Sequence, residues 1–351
     1  MSPIDVKKAW VSATLSHERQ LTCFRFSPDG RRAVAGGQDG KLWSWTLEGG
    51  EKTSTGGHTT WLASIAFAPD GRLYSADLHG TVIAQDRWKI DAGHRPFLRT
   101  MALSPDGRTL VTAGDDAVAR VWSAETGKLV RELKGHKTYI YAAAFAPDGT
   151  IVTGDLSGRI CHWGETLLRE LDASVLHSRE EEMLAGVGGV RSIAFSPDGA
   201  KMAVGGVKEA KNNTFCTGVP AIVVFDWKSG ARQSILETKD GKVDGYVNAL
   251  RYLPDGTLYA VSESHGGNSG LWFWKPGETA PFHAMNAPAA YDLDLHADGL
   301  RLGLCAFESR GASGNGLRVK TREEYVPHGG AILLVSLVEK PKPVKAPPAK
   351  K

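Results

Sequence analysis

The chain has 351 residues and a formal net charge of +3 at pH 7, with 42% apolar residues, 41 glycines and 17 prolines, a composition that favours strands and turns and supplies an ample core. The last thirteen residues, 339–351, hold five lysines and one glutamate, a local +4, so the body sits near −1 and lacks the basic bias of a nucleic-acid reader. No apolar run reaches a membrane span, the first residues carry no signal-peptide segment, and Cys23, Cys161, Cys216 and Cys305 show no CxxC spacing; a soluble cytoplasmic protein with reduced thiols, no metal, no cofactor and no membrane insertion is expected.

A β-favouring run at 10–15 opens the chain. Behind it comes FSPDG at 26–30, the first version of a phrase that returns as FAPDG at 67–71, LSPDG at 103–107, FAPDG at 145–149, FSPDG at 195–199, YLPDG at 252–256 and LHADG at 295–299. The aspartates, at 29, 70, 106, 148, 198, 255 and 298, lie 36 to 57 residues apart. In each copy an apolar residue ends a strand, Asp folds back on the backbone, and Gly takes the positive φ that closes a hairpin; in all but the last copy, Pro presets the first turn angle. Alternating apolar positions lie upstream (Ile65 and Phe67; Ile193 and Phe195), and a second β-rich run such as 109–113 lies downstream.

Units of this size hold four short strands, one blade of a propeller. The expected fold is therefore all-β: a seven-bladed β-propeller of four-stranded antiparallel blades. The last repeat offers strands at 291–295, 302–306 and 331–337 and no fourth, so the run at 10–15 is expected to supply its outer strand and close the ring. We expect one domain over 1–338. The Lys/Pro-rich tail 339–351 is expected to be disordered.

Nine residues before the apolar residue of each of the first four turn phrases stand His17, His58, His94 and His136. Later strands end as KLWSW at 41–45, ARVWS at 119–123, RICHW at 159–163 and VVFDW at 223–227. The stretch GHRPFLRTMALSPDGRTLVTAGDDAVARVWS at 93–123 resembles a repeat of the WD-repeat β-propeller family, and the chain as a whole a degenerate, bacterial-type member. The resemblance covers about residues 9 to 338 and is strong in the first four units. It implies a buried network of His, Ser, Asp and Trp in each blade. His94, Asp116 and Trp122 match in blade 3, and His17, Asp39 and Trp45 in blade 1, with Gly114 and Gly37 at the expected Ser positions. Blade 2 keeps His58 but has His79 for Asp and Gln85 for Trp; blade 4 keeps His136 and Trp163 with Ser157 for Asp. Asp77 and Asp155 stand at the Ser positions there. Because these residues recur blade by blade, a structural role is expected, and catalysis or metal binding is not.

Three residues after the histidine positions come Trp61, Phe97, Tyr139 and, in blade 6, Tyr246. By the resemblance this register rims the channel on the face of the loops that lead into each blade, where aromatics make good partner anchors; packing against a neighbouring blade is the competing reading. Long connections at 172–189, 207–218, 262–270 and 308–329 are expected on the same face, the first carrying the charged run 179–182. The last contains Arg310, Arg318, Lys320, Arg322 and Tyr325, a basic insertion suited to an acidic partner but diluted by Glu323 and Glu324. The expected function is non-enzymatic: a platform for a protein or peptide, as a monomeric ring or a subunit of a larger assembly. The alternative is an enzyme or small-ligand propeller with a site in the channel, for which Asp294, Arg25 and Arg251, sharing one register, are the candidate charges.

Overall fold

The computed structural model describes residues 4–180, 185–210, 218–238, 245–262, 269–307, 317–318, 325–326 and 329–341. Seven four-stranded antiparallel sheets are arranged as blades, and the innermost strand of each lies against that of the next, blade 7 returning to blade 1. From inside to outside, blade 1 is Leu21–Phe26, Arg32–Gly37, Leu42–Thr46 and Lys52–Thr55. The innermost strands of blades 2 to 7 are Leu62–Phe67, Leu98–Leu103, Ile140–Phe145, Ser192–Phe195, Val247–Tyr252 and Ala290–Leu295.

The turn phrase explains why the chain folds back where it does. In every copy the Asp carboxylate accepts the backbone N–H two residues on, at 2.8 to 3.1 Å. The glycines take φ between +67° and +88°, a region a side chain disfavours. Each Gly N–H also donates to the carbonyl three residues back, closing the turn.

Blade 7 consists of Ala290–Leu295, Arg301–Phe307, Gly330–Ser336 and the N-terminal strand Trp10–His17, which pairs with Gly330–Ser336 from Trp10↔Ser336 to His17↔Gly330. The strand the last repeat lacks thus comes from the other end of the chain, and no blade is left with an unpaired third strand. Trp10 Nε1 donates to Val338 O at 3.1 Å, Lys8 pairs with Glu339 at 2.8 Å, and Lys340 lies over the Trp10 ring. The expectation for the tail beyond residue 341 lies outside the described residues.

Apolar side chains pack between adjacent blades. Ile193, Met202, Val223 and Phe225 of blade 5 join Val152 and Ile160 of blade 4, and Leu302, Leu304 and Val335 of blade 7 join Tyr259, Leu271 and Phe273 of blade 6. Buried aliphatic and aromatic groups of this size each contribute about 1.5–3 kcal/mol, so the ring is held chiefly by these interfaces. One connection departs from expectation. The segment leading into blade 5 is built rather than open: a 3-10 turn, Ser174–Leu176, and a hairpin of His177–Glu180 with Ala185–Gly188. Leu176 and Val187 are buried there, the latter with Val207, Ala210 and Tyr246, which gives the hairpin a small core of its own.

Candidate functional site

Among the described residues two blades carry complete polar networks, and a third lacks only the tryptophan. In blade 3, His94 Nδ1 meets Asp116 at 2.8 Å, His94 Nε2 meets Thr112 Oγ1 at 2.8 Å, and Trp122 Nε1 donates to the same hydroxyl at 2.9 Å. Blade 4 repeats this with His136, Asp155, Thr153 and Trp163 at 2.7, 2.7 and 2.8 Å. In blade 2, His58 meets Asp77 at 3.1 Å and Ser75 at 2.7 Å, with Gln85 where the tryptophan would stand. The expected hydroxyl position is corrected: it lies two residues upstream of Gly114, Asp155 and Asp77. In each case Nδ1 meets a carboxylate and Nε2 a hydroxyl of the second strand, two residues before the aspartate in blades 2 and 4 and four before it in blade 3. Asp77 and Asp155 therefore act as the carboxylates, replacing His79 and Ser157 in that role. Burial pushes the Asp77, Asp116 and Asp155 carboxyls up, but the hydrogen-bonded histidines, with other donors, hold all three below the usual range.

Blade 1 is incomplete. Ala35 stands at the hydroxyl position, His17 Nε2 is buried with no hydrogen-bond partner, and Asp39 is 3.7 Å away, accepting instead from Trp43 Nε1 at 3.0 Å. Trp45 packs in the core, under the Lys52 ammonium.

The channel of about 700 Å³ is lined by two tiers from the innermost strands. Nearer the face where these strands begin stand Thr22, Ala63, Arg99, Tyr141, Arg191, Asn248 and Tyr291; one turn of the pleat deeper stand Arg25, Ala66, Ala102, Ala144, Ala194, Arg251 and Asp294. The deeper tier is lopsided, alanine in blades 2 to 5 and charged in blades 6, 7 and 1. Asp292 Oδ2 accepts from Arg25 Nη1 at 2.7 Å and from Phe24 N at 3.0 Å, and Asp294 accepts from Phe26 N at 2.9 Å. Burial raises the Asp294 carboxyl, opposed by Arg25 and Arg251. Asp294, Arg25 and Arg251, the candidate charges that share one register, face one another in the channel. Both carboxylates tie blade 7 to blade 1. Among the described residues no group of three or more His, Cys, Asp or Glu is placed to hold a metal.

Around the mouth, Trp61 is 45% and Tyr139 42% exposed. Phe97 and Tyr246, at the same register, are partly covered: Phe97 stacks on His79 and under Arg99, and Tyr246 lies against the Arg191 guanidinium. The structure adds residues that the sequence reading passed over. Tyr141, Arg99 and Arg191 all lie seven residues before a turn-phrase aspartate, a spacing visible in the sequence once the channel register is known. Arg318 and Tyr325 pair backbone to backbone in a two-residue ladder; their side chains, with Arg310, Lys320 and Arg322, lie outside the described residues. So do 181–182, 211–217, 263–268 and most of 308–329, on which the expectation of long functional loops rested.

The family model for the WD domain, G-beta repeat, matches residues 10–46, 88–123 and 127–164. Each span starts on an outer strand and runs through the three inner strands of the next blade, the offset that lets Trp10–His17 close the ring. Apoptotic protease-activating factor 1 of Rattus norvegicus is 26% identical over 203 residues, 53% of this chain and 16% of that protein. A periodic tryptophan protein 2 homolog of Caenorhabditis elegans is 28% identical over 266 residues, 72% of this chain and 28% of that protein. Angio-associated migratory cell protein of Homo sapiens is 44% identical over 54 residues, 15% of this chain and 12% of that protein. The chain thus spans between 12% and 28% of the length of these relatives.

Proposed function

Because this chain is a WD-repeat β-propeller, we propose that it is a non-enzymatic platform for a protein or peptide partner, docked where the innermost strands begin, over the channel mouth. The observation that carries the reading is the exposure of Trp61 and Tyr139 beside that mouth. Two large rigid aromatics on a stiff ring are the type of anchor that buries area at low entropic cost. Phe97 and Tyr246 flank them with cationic neighbours. The near-neutral body favours a protein partner over nucleic acid, and no described helix is long and apolar enough to cross a membrane. The buried free thiols of Cys23, Cys161 and Cys305 support a reducing location such as the cytoplasm. Affinity purification of tagged protein beside a Trp61→Ala, Tyr139→Ala double variant tests the reading. A partner lost only with the double variant is the expected result; an unchanged set of captured proteins rules this face out.

A small ligand in the channel is the second reading, favoured by its volume of about 700 Å³. It predicts that a small molecule raises the melting temperature of the wild type and not of Arg251→Ala.

A further inference from the structure

Among the described residues four arginines line the channel, and three are engaged. Arg99 grips Asp115 through Nε and Nη2 at 2.7 and 2.8 Å, Arg25 pairs with Asp292, and Arg251 donates to Leu250 O while facing Asp294. Arg191 differs: among the described residues it has no carboxylate within ion-pair reach, and its Nε is buried with no acceptor. Its guanidinium carbon lies 4.0 Å from the Tyr141 ring centre and 4.3 Å from that of Tyr246.

Stacking uses the flat faces of a guanidinium and leaves its N–H fork free in the plane. Two tyrosines therefore fix the orientation of this cation before anything binds, removing most of the entropic cost of engaging it. Nε is closed off, so an incoming anion meets the terminal N–H groups of this guanidinium, where a charged partner gains more than a neutral one. We propose that Arg191 anchors an aspartate or glutamate side chain of a peptide inserted at the channel mouth between blades 4 and 6; this rests on the docking reading above. A carboxylate fits better than a phosphate. The nearest second cation against the same ring, Arg99, is 5.7 Å from the Tyr141 centre and already neutralised by Asp115, so one net positive charge is on offer. Trp61 and Tyr139, exposed at the same rim, supply the flanking contacts that a free small carboxylate would not use.

The test retains degenerate peptide pools on immobilised full-length protein, each pool acetylated and amidated with one fixed central residue: glutamate, glutamine or phosphoserine. Wild type is expected to retain the glutamate pool roughly tenfold or more over the glutamine pool. Arg191→Met, whose apolar stem still fills the space between the tyrosines, is expected to lose that preference at an unchanged melting temperature; should it fail to fold, Arg191→Gln takes its place with the same expected loss. Equal retention of the glutamate and glutamine pools, or a preference that survives removal of Arg191, overturns the anchor and leaves the docking face standing. A phosphoserine pool retained ahead of glutamate overturns the carboxylate assignment in favour of a phosphopeptide. Retention of no pool overturns both the anchor and the docking reading, whereas Trp61→Ala with Tyr139→Ala, lowering all pools alike, bears on docking alone.

Discussion

Asp292 of blade 7 and Arg25 of blade 1 meet at 2.7 Å across the seam that joins the two ends of the chain. The same carboxylate oxygen accepts the Phe24 N–H at 3.0 Å, and Asp294 does so for Phe26 at 2.9 Å. The exposed edge of the first innermost strand is thus satisfied by side chains of the last blade, a second latch inside the ring to match the strand pairing outside it. Asp292→Ala leaves a half-buried guanidinium and a backbone donor without partners and is expected to cost about 2–4 kcal/mol. Asp292→Asn still accepts from Phe24 and is expected to cost less. Urea midpoints of both variants check this; equal losses would mean that the ion pair, rather than the backbone bond, holds the seam.

The networks of blades 2 and 4 differ by one tryptophan, which sets up a comparison. Thr153→Val removes the hydroxyl that serves both His136 Nε2 and Trp163 Nε1, leaving two buried groups unpartnered at about 2–4 kcal/mol. Ser75→Ala leaves only His58 Nε2 and is expected to cost about half as much. Denaturant titrations of the two variants read the ratio directly. Equal costs would show that the tryptophan N–H finds another acceptor when Thr153 is gone.

Much of this architecture was readable in advance because its determinants are local. Pro, Asp and Gly act within five residues, so seven turn phrases announce seven blades, and the missing fourth strand of the last repeat points to Trp10–His17. Relations between strands were harder. The resemblance puts the hydroxyl at Gly114, whereas Thr112 supplies it, because which residue reaches an imidazole depends on how deep the ring enters between strands. Tyr141, Arg99 and Arg191 carry no local signal for a related reason: a single inward-facing residue in a short strand has no period of its own, and only the ring aligns seven of them. The hairpin of His177–Glu180 and Ala185–Gly188 is hidden in the sequence by the charged run 179–182, which points to a solvated loop, while the burial of Val187 depends on Val207, Ala210 and Tyr246 from other segments.

Acid should weaken the fold in two separate windows. Burial lowers the pKa of His17, His162 and His283 below the ordinary 6.5, aided by Lys52, Arg169 and Lys7 in turn. For His162 the geometry agrees, since Nδ1 accepts from Arg169 Nε at 3.2 Å and so carries no proton. A histidine whose folded pKa is depressed binds its proton more readily in the unfolded chain, so stability falls as pH drops through 6.5. The depressed Asp77, Asp116 and Asp155 carboxyls act lower, their contribution being lost only below the ordinary 3.8. Melting temperature followed from about pH 8 to about pH 3 should show both declines, and His162→Gln should make the first shallower, with His17 and His283 keeping the rest, and leave the second. A first decline unchanged in that variant would assign it to other groups.

Blade 1 offers a gain rather than a loss. His17 Nε2 is buried without a hydrogen-bond partner, Nδ1 lies 3.1 Å from the Lys52 ammonium, Ala35 stands at the strand position of Thr112 and Thr153, and Trp45 at that of Trp122 and Trp163. Ala35→Ser puts one oxygen between the imidazole and the indole, completing the network at about 1 kcal/mol of added stability. The increase should vanish in a His17→Ala background, since the new hydroxyl would then lack its histidine, and a double-mutant cycle isolates that coupling. Ala35 is fully buried, so the added atom also probes the packing around it. Stabilisation that persists without His17 would trace the gain to filled space, and a loss in both backgrounds would show that blade 1 has closed over the vacant position and has no room for the hydroxyl its neighbours use.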